Sequence, residues 1–152
     1  MQKTNALLWT DISYNTGAEE EADMLFSSPE AAIHEAYTKA LEKMMSILNL
    51  RDNWDGEDAR APEEDITQTA LMLFHQSMLN EFYPSRISPT HEGSIVFEWQ
   101  ANSTYLQAEV EMPYRIDWME RDQNGKYKHW SVNLVKPPAT DELVALSTQQ
   151  AA

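Results

Sequence analysis

Apolar residues at Ile33, Tyr37, Leu41, Met44 and Leu48 recur with the spacing of one helical face. The stretch before them, "SSPE" from Ser27 to Glu30, has the make-up of a helix start. Ser28 is suited to cap, Pro29 to the first helical position, and Glu30 to the positive end of the dipole. The pattern predicts a helix from Pro29 to about Leu50, with Glu35 and Lys39 paired on its outer side. A second helix is predicted from Pro62, with Glu63, Glu64 and Asp65 in its first turn. Ile66, Ala70, Leu73, Phe74 and Met78 form its buried side, and it ends before Pro84.

Beyond Pro84 the period drops to two. Ile95, Phe97 and Trp99 alternate with Val96, Glu98 and Gln100, and Leu106, Ala108, Val110 and Met112 alternate with Tyr105, Gln107, Glu109 and Glu111. A turn at Ala101-Asn102 would pair Phe97 with Leu106 and Ile95 with Ala108, and Pro113 closes the ladder. "YRIDWMERD" and "KYKHWSVNL" flank Asn124-Gly125, a hairpin signal. A three-residue loop from Gln123 to Gly125, with Gly125 left-handed, pairs Trp118 with Trp130, Ile116 with Val132 and Tyr114 with Leu134. It also sets Glu120 opposite Lys128 and Asp122 opposite Lys126. A two-residue turn would instead put Arg121 opposite Lys128, so the longer loop is expected.

These elements predict one α+β domain over residues 29–136: two helices packed on one face of an antiparallel sheet of four or five strands. Residues 1–28 precede it as a segment with a candidate strand at "ALLWTDISY" and an acidic loop. Residues 137–152 follow Lys136-Pro137-Pro138 as a tail with a candidate short helix from Thr140.

Charge changes the picture more than any other bulk property. The chain has 152 residues, 25 acidic and 11 basic side chains and a net charge of −14. Two segments carry most of the imbalance, Glu19 to Glu35 and Asp52 to Asp65, each at −6. Such a field repels nucleic acid, anionic lipid and ATP-like substrates and attracts basic surfaces. The bland explanation is solubility. With no cysteine, thiolate metal sites, disulfides and cysteine nucleophiles drop out. The run "ALLW" is shorter than a secretory signal core, and nothing approaches the ~20 apolar residues of a membrane helix, so a cytoplasmic protein with no membrane contact is expected.

The segment between the helices, "LRDNWDGEDARAPEEDI", is the main candidate for chemistry. As a calcium loop with Gly56 at the sixth position it would have Arg51 at the first and Pro62 at the twelfth, where acids are needed. An irregular site through Asp52, Asn53 and Asp55 stays as an alternative. Paired carboxylates for hydrolysis need an apolar cleft that perturbs one of them, whereas these acids read as a solvated loop and helix start. His34, His75, His91 and His129 lack ligand spacing, and four glycines form no phosphate loop. No cofactor and no catalytic residue is expected. Trp54 has two readings: a plug between the helices, with Gly56 permitting the turn and Asn53 and Asp55 capping backbone groups, or an exposed anchor ringed by acids.

"NWDGEDARAP" followed by "GSIVFEWQ" resembles a pattern in uncharacterised bacterial and mobile-element proteins, whose loops read Asn-Trp-Asp-Gly, a variable pair, then alanine. The match spans roughly Leu48 to Met112. Asn53, Trp54, Asp55, Gly56, Ala59, Glu98 and Trp99 fit it, while Glu57 and Asp58 stand where tyrosine and glycine are usual. The resemblance implies a helix pair with a sheet and carries no activity.

Two function classes follow. The first is a non-catalytic acidic binding protein that occupies a basic site on a partner protein, itself a nucleic-acid-binding protein in the sharpest version. That version is a phage or mobile-element inhibitor imitating nucleic acid in the manner of an anti-CRISPR, with an immunity protein or antitoxin as its relative. Its contact residues would be Asp52, Trp54, Asp55, Glu57, Asp58, Glu63, Glu64 and Asp65, with Glu19, Glu20 and Glu21. The second is a metal-binding or hydrolytic enzyme using the Asp52–Asp65 carboxylates.

Overall fold

The computed structural model describes residues 28–136. Within them the chain forms two helices and then five strands. The candidate strand near residues 6–14, the helix expected from Thr140, and Glu19, Glu20 and Glu21 lie outside the described residues.

Helix α1 runs Pro29–Leu48, with Ser28 capping it through its hydroxyl, which accepts from the Ala31 amide at 3.2 Å. Lys39 reaches Glu35 at 2.6 Å on the exposed side. Only the second half of the predicted stripe is buried. Ala40, Met44 and Ile47 enter the core with Leu48 half-buried, whereas Ile33, Tyr37 and Leu41 stay exposed. Leu41, between the buried Ala40 and Met44, lies about a quarter-turn off their face; for Ile33 and Tyr37 the cause is length. A 20-residue helix is about 30 Å long, while β1, the strand it packs on, has four residues. The first turns of α1 overhang.

Helix α2 spans Glu64–Leu79 and buries Ile66, Ala70, Leu73 and Phe74 as the periodicity predicts, together with Thr69 and Ser77. Its start is two residues later than expected. Pro62 belongs to the loop and Glu63 is the N-cap in an extended conformation, without a side-chain capping bond. At the other end Ser77 donates its hydroxyl to the Phe82 carbonyl, which also accepts from the Trp99 indole at 3.0 Å, so the turn out of α2 is tied to the sheet.

The strands β1 (Arg86–Pro89), β2 (Ile95–Ala101), β3 (Thr104–Val110), β4 (Arg115–Arg121) and β5 (Tyr127–Asn133) form one antiparallel sheet in sequence order. Helix α1 lies against β1 and α2 against β2 and β3. The alternation fixes which face they cover. Ile95, Phe97, Trp99, Leu106, Ala108, Val110, Ile116 and Trp118 are buried on it. Phe82, Trp99, Trp118 and Trp130 stack in a row across the sheet, with centroids 5.1, 5.6 and 6.0 Å apart in that order.

The two hairpins test the register arguments. In β4–β5 the three-residue loop is present: Ile116 faces Val132, Trp118 faces Trp130, Glu120 faces Lys128, and Gly125 has φ 77°. The Leu134 amide donates to the Tyr114 carbonyl at 2.7 Å, extending the same pairing. Glu120 and Lys128 are opposite without closing into an ion pair, so the buried tryptophan face, more than that charge pair, holds the register. In β2–β3 the turn lies one residue later than predicted, at Asn102-Ser103. Phe97 therefore faces Ala108, and Trp99 faces Leu106. Asn102 takes φ 53°, a left-handed position that asparagine tolerates far better than the alanine the other turn would have placed first. A slip of two in register leaves the buried face intact, which is why the alternation alone did not distinguish them. Met112, predicted on that face, is 50 % exposed beyond the end of β3.

Candidate functional site

Four bonds from backbone amides to side-chain oxygens help to hold the link between the helices. Asp52 accepts from the Ala61 amide at 3.0 Å and Asn53 from the Asp58 amide at 2.9 Å. Asp55 Oδ1 accepts from both the Glu57 amide, at 2.8 Å, and the Ala59 amide, at 3.1 Å. The Asn53 amide donates to the Ala59 carbonyl at 2.7 Å, closing the base of the loop. Asn53 and Asp58 both have φ 64° and Gly56 φ 81°, so the chain passes through three left-handed positions. Ala59 is wholly buried beneath them.

Trp54 completes this closure by donating its indole N–H to the Arg60 carbonyl at 3.1 Å. It is half-buried and is not part of the helix–sheet core, so it staples the loop instead of filling the space between the helices. Gly56, Asn53 and Asp55 do what the structural reading of this loop expected of them.

A second anchor comes from the turn before β2. The Arg60 amide donates to the His91 carbonyl at 2.9 Å, and His91 Nδ1 lies 3.2 Å from Asp55 Oδ2. Gly93, at φ 91°, packs where an added Cβ would come 3.4 Å from the Ala61 carbonyl oxygen. The carboxyl of Asp55 is held below its ordinary range, first by the Glu57 amide and further by the Ala59 amide and His91, against an opposing effect of burial. In the sequence His91 stands out only by lacking ligand spacing to the other histidines. It is 36 residues from Asp55, and no local pattern links the two.

The other acids of the stretch behave differently. Glu57, Asp58, Glu63, Glu64 and Asp65 are exposed, and none of them joins an ion pair among the described residues. Asp65 accepts from the Tyr114 hydroxyl at 3.3 Å, and that hydroxyl also lies 3.1 Å from Gln68 Oε1. Tyr114, at φ 57°, donates its amide to the buried Thr69 hydroxyl at 2.8 Å, which fastens the start of β4 to α2. Burial first, then the Asp65 carboxylate, raises the Tyr114 phenol above its ordinary value. The acids thus divide into Asp52 and Asp55, whose oxygens bind backbone amides of the loop, and the other five, which are exposed along the chain between Glu57 and Asp65.

Among the described residues, no group of three or more His, Asp or Glu side chains is placed to hold a metal ion, and no helix is long and apolar enough to cross a membrane. A groove of about 290 Å³ lies elsewhere, between α1 and β1, lined by Lys39, Lys43, Arg86 and the serines 85 and 88. Two of its three cations already have acidic partners, Lys39 with Glu35 and Arg86 with Glu98 at 3.4 Å.

The sheet face turned away from α1 and α2 carries its own polar network. Tyr105 donates its hydroxyl to Glu98 at 2.6 Å and lies 3.0 Å from Gln107 Oε1, with the Arg121 guanidinium 5.5 Å from its ring centre. Burial, followed by the hydrogen bond to Glu98, pushes the Tyr105 phenol up to about 12. No protein-family model, curated protein or solved structure matches the chain.

Proposed function

We propose that this is a non-catalytic binding protein whose exposed ridge, Glu57, Asp58, Glu63, Glu64 and Asp65, occupies a basic site on a partner protein. The observation that carries the reading is the contrast within one acidic stretch. Asp52 and Asp55 satisfy the loop's backbone, and the five ridge carboxylates form no ion pair among the described residues, on a frame that those bonds hold in place. A preorganised charged surface loses little conformational freedom on binding. Duplex DNA presents one negative charge per ~1.7 Å of its axis, so a short carboxylate ridge stands in for several phosphates. The sharpest form of the proposal is therefore a cytoplasmic inhibitor, of phage or mobile-element type, directed at a nucleic-acid-handling protein. An immunity protein that neutralises a basic toxin uses the same chemistry.

The test is parallel affinity capture from host lysate with the parent protein and with a variant carrying Glu57→Lys, Asp58→Lys, Glu63→Lys and Glu64→Lys. The reading expects a basic partner on the parent alone, with affinity reduced about tenfold or more by the reversal. It also expects steep weakening with salt and displacement by duplex DNA. A partner held equally by both proteins and indifferent to salt overturns it. Single substitutions separate this reading from catalysis, because a charged surface weakens gradually whereas an active site collapses with one or two residues.

A further inference from the structure

Strand β5 ends the sheet, and among the described residues no strand pairs with its outer edge. It is seven residues long and holds no proline, whereas the opposite edge, β1, has four residues, ends in Pro89 and packs against α1. The direction of the β5 backbone groups follows from the two ends of its ladder with β4. There the Asp122 amide donates to the Lys126 carbonyl at 3.0 Å and the Leu134 amide to the Tyr114 carbonyl at 2.7 Å. Antiparallel pairs alternate between bonded and unbonded. Between those ends Lys128, Trp130 and Val132 therefore turn their N–H and C=O groups toward β4, and Tyr127, His129, Ser131 and Asn133 turn theirs outward. All four of the latter are exposed. We propose that this edge pairs antiparallel with the same edge of a second copy, joining two five-stranded sheets into one.

Self-complementarity selects this occupant. Full overlap of the two strands puts the two-fold axis at Trp130, the middle residue of β5. Tyr127 then faces Asn133 of the other copy and His129 faces Ser131, so outward groups meet outward groups along the whole strand. Trp130 meets its own counterpart in an unbonded pair, where side chains approach most closely. The stack of Phe82, Trp99, Trp118 and Trp130 thereby continues through the axis into the second copy. Charge agrees with this meeting point. The chain carries −14, yet residues 115–133 hold four basic and three acidic side chains, so two copies approach there with little repulsion. Lys128, on the same face as Trp130, is the kind of charge that guards an edge against pairing. Here it stands opposite Glu120, whose Oε2 is buried with no hydrogen-bond partner among the described residues. A carboxylate is thus at hand when a second strand displaces water from the lysine. This inference stands independently of the acidic ridge.

A single strand–strand contact lies at the low end of interface size, so the dimer is expected to depend on concentration and to form by about 100 µM. Sedimentation equilibrium should then give twice the 17.5 kDa of the chain. A protein still monomeric at about 1 mM overturns the proposal and leaves the edge to a strand from another protein. His129→Pro removes an outward N–H and no bond to β4. It is expected to be monomeric while keeping the near-ultraviolet circular dichroism of the parent, and a folded variant that dimerises as the parent does overturns the pairing. Cross-linking reads the register without relying on the proline variant, because the chain has no cysteine of its own. On the axis the two Cα atoms of residue 130 would be ~4.5 Å apart, within disulfide reach, whereas those of residue 128 would be about 14 Å apart. Trp130→Cys is expected to form disulfides between chains at least about tenfold faster than Lys128→Cys. A mixture of Lys128→Cys and Val132→Cys chains, which leaves Trp130 in place, is expected to join the two kinds to each other. Equal rates for the single variants, or random joining in the mixture, overturn the register and the proposal with it.

Discussion

Asp55 and Glu63 are eight positions apart in one acidic run, and they do opposite work. Asp55 gathers two amides and a histidine and holds a loop shut. Glu63 caps α2 by position only, without a side-chain bond, and points its charge at solvent. The difference lies in the backbone. Where the chain passes through left-handed positions at Asn53, Gly56 and Asp58, amides are turned away from regular partners, and short acceptors such as Asp and Asn satisfy them. Where it has begun to coil into α2, first-turn carboxylates are favourable to the dipole and stay exposed, with Asp65 alone accepting from the Tyr114 hydroxyl among the described residues. A run of acids is thus not one feature, and its net charge does not say which members are available to a partner.

The core supplies the scale for judging both halves. Trp118 is buried and lies between Trp99 and Trp130 in the stacked row. Trp118→Ala is expected to lower the free energy of unfolding by ~3–5 kcal/mol, read from a shift of the urea midpoint. An unchanged midpoint would remove the β4–β5 register from the account.

If the loop half is structural, changes there should fall next on the scale. Ala59 is wholly buried, so Ala59→Leu overpacks a closed site and is expected to cost ~1–3 kcal/mol. At Gly56 a Cβ meets nothing within 4 Å, and the penalty of Gly56→Ala is that of the left-handed backbone alone, about 1 kcal/mol. Finding the Gly56 variant more damaging than the Ala59 variant would mean that the outer arc of the loop, and not its buried base, carries its stability.

How much of this was legible beforehand follows from the range of the interactions. Both helices, the inward alternation of β2 to β5 and the Trp118–Trp130 pairing rest on local periodicity and turn chemistry, and the structure bears them out. Strand β1 was not singled out, because four residues ending in proline carry too short a pattern. The exposure of Ile33 and Tyr37 depends on how far the sheet extends beneath α1, which a helical stripe does not encode. At the loop, Asn53, Asp55 and Gly56 could be read as turn-formers. The amides they bind could not be assigned, nor could the His91 contact, which is a product of the assembled fold.

A pH series separates the halves by a smaller effect. The Asp55 carboxyl is depressed in the folded protein, chiefly by the Glu57 amide. Its contribution to stability is therefore fully present above the unfolded value, ~3.9, and lost as pH falls through the lower folded value. Asp55→Asn keeps an acceptor oxygen without the charge. The gap between parent and variant in urea unfolding should be level from pH 7 to about pH 5 and close progressively as acid is added. A gap of constant size down to pH 3 would show that the charge of Asp55 has no part in holding the loop.

The smallest expected effect on stability belongs to the ridge. Glu63 and Glu64 are exposed and form no ion pair among the described residues, so Glu63→Lys and Glu64→Lys remove no contact on which the fold depends. Each does exchange a favourable charge at the start of α2 for an unfavourable one. At this exposure the change is screened, and each variant is expected to unfold within about 0.5 kcal/mol of the parent. Reducing the self-repulsion of a chain at −14 acts in the opposite direction and narrows the difference further. Urea midpoints measured at low and at physiological salt check this. Near-identity at both, together with weakened capture of a basic partner, would place the function of these residues in binding. A loss as large as that of Ala59→Leu would instead make the ridge part of the frame, and the distinction between the two halves of the acidic stretch would fall.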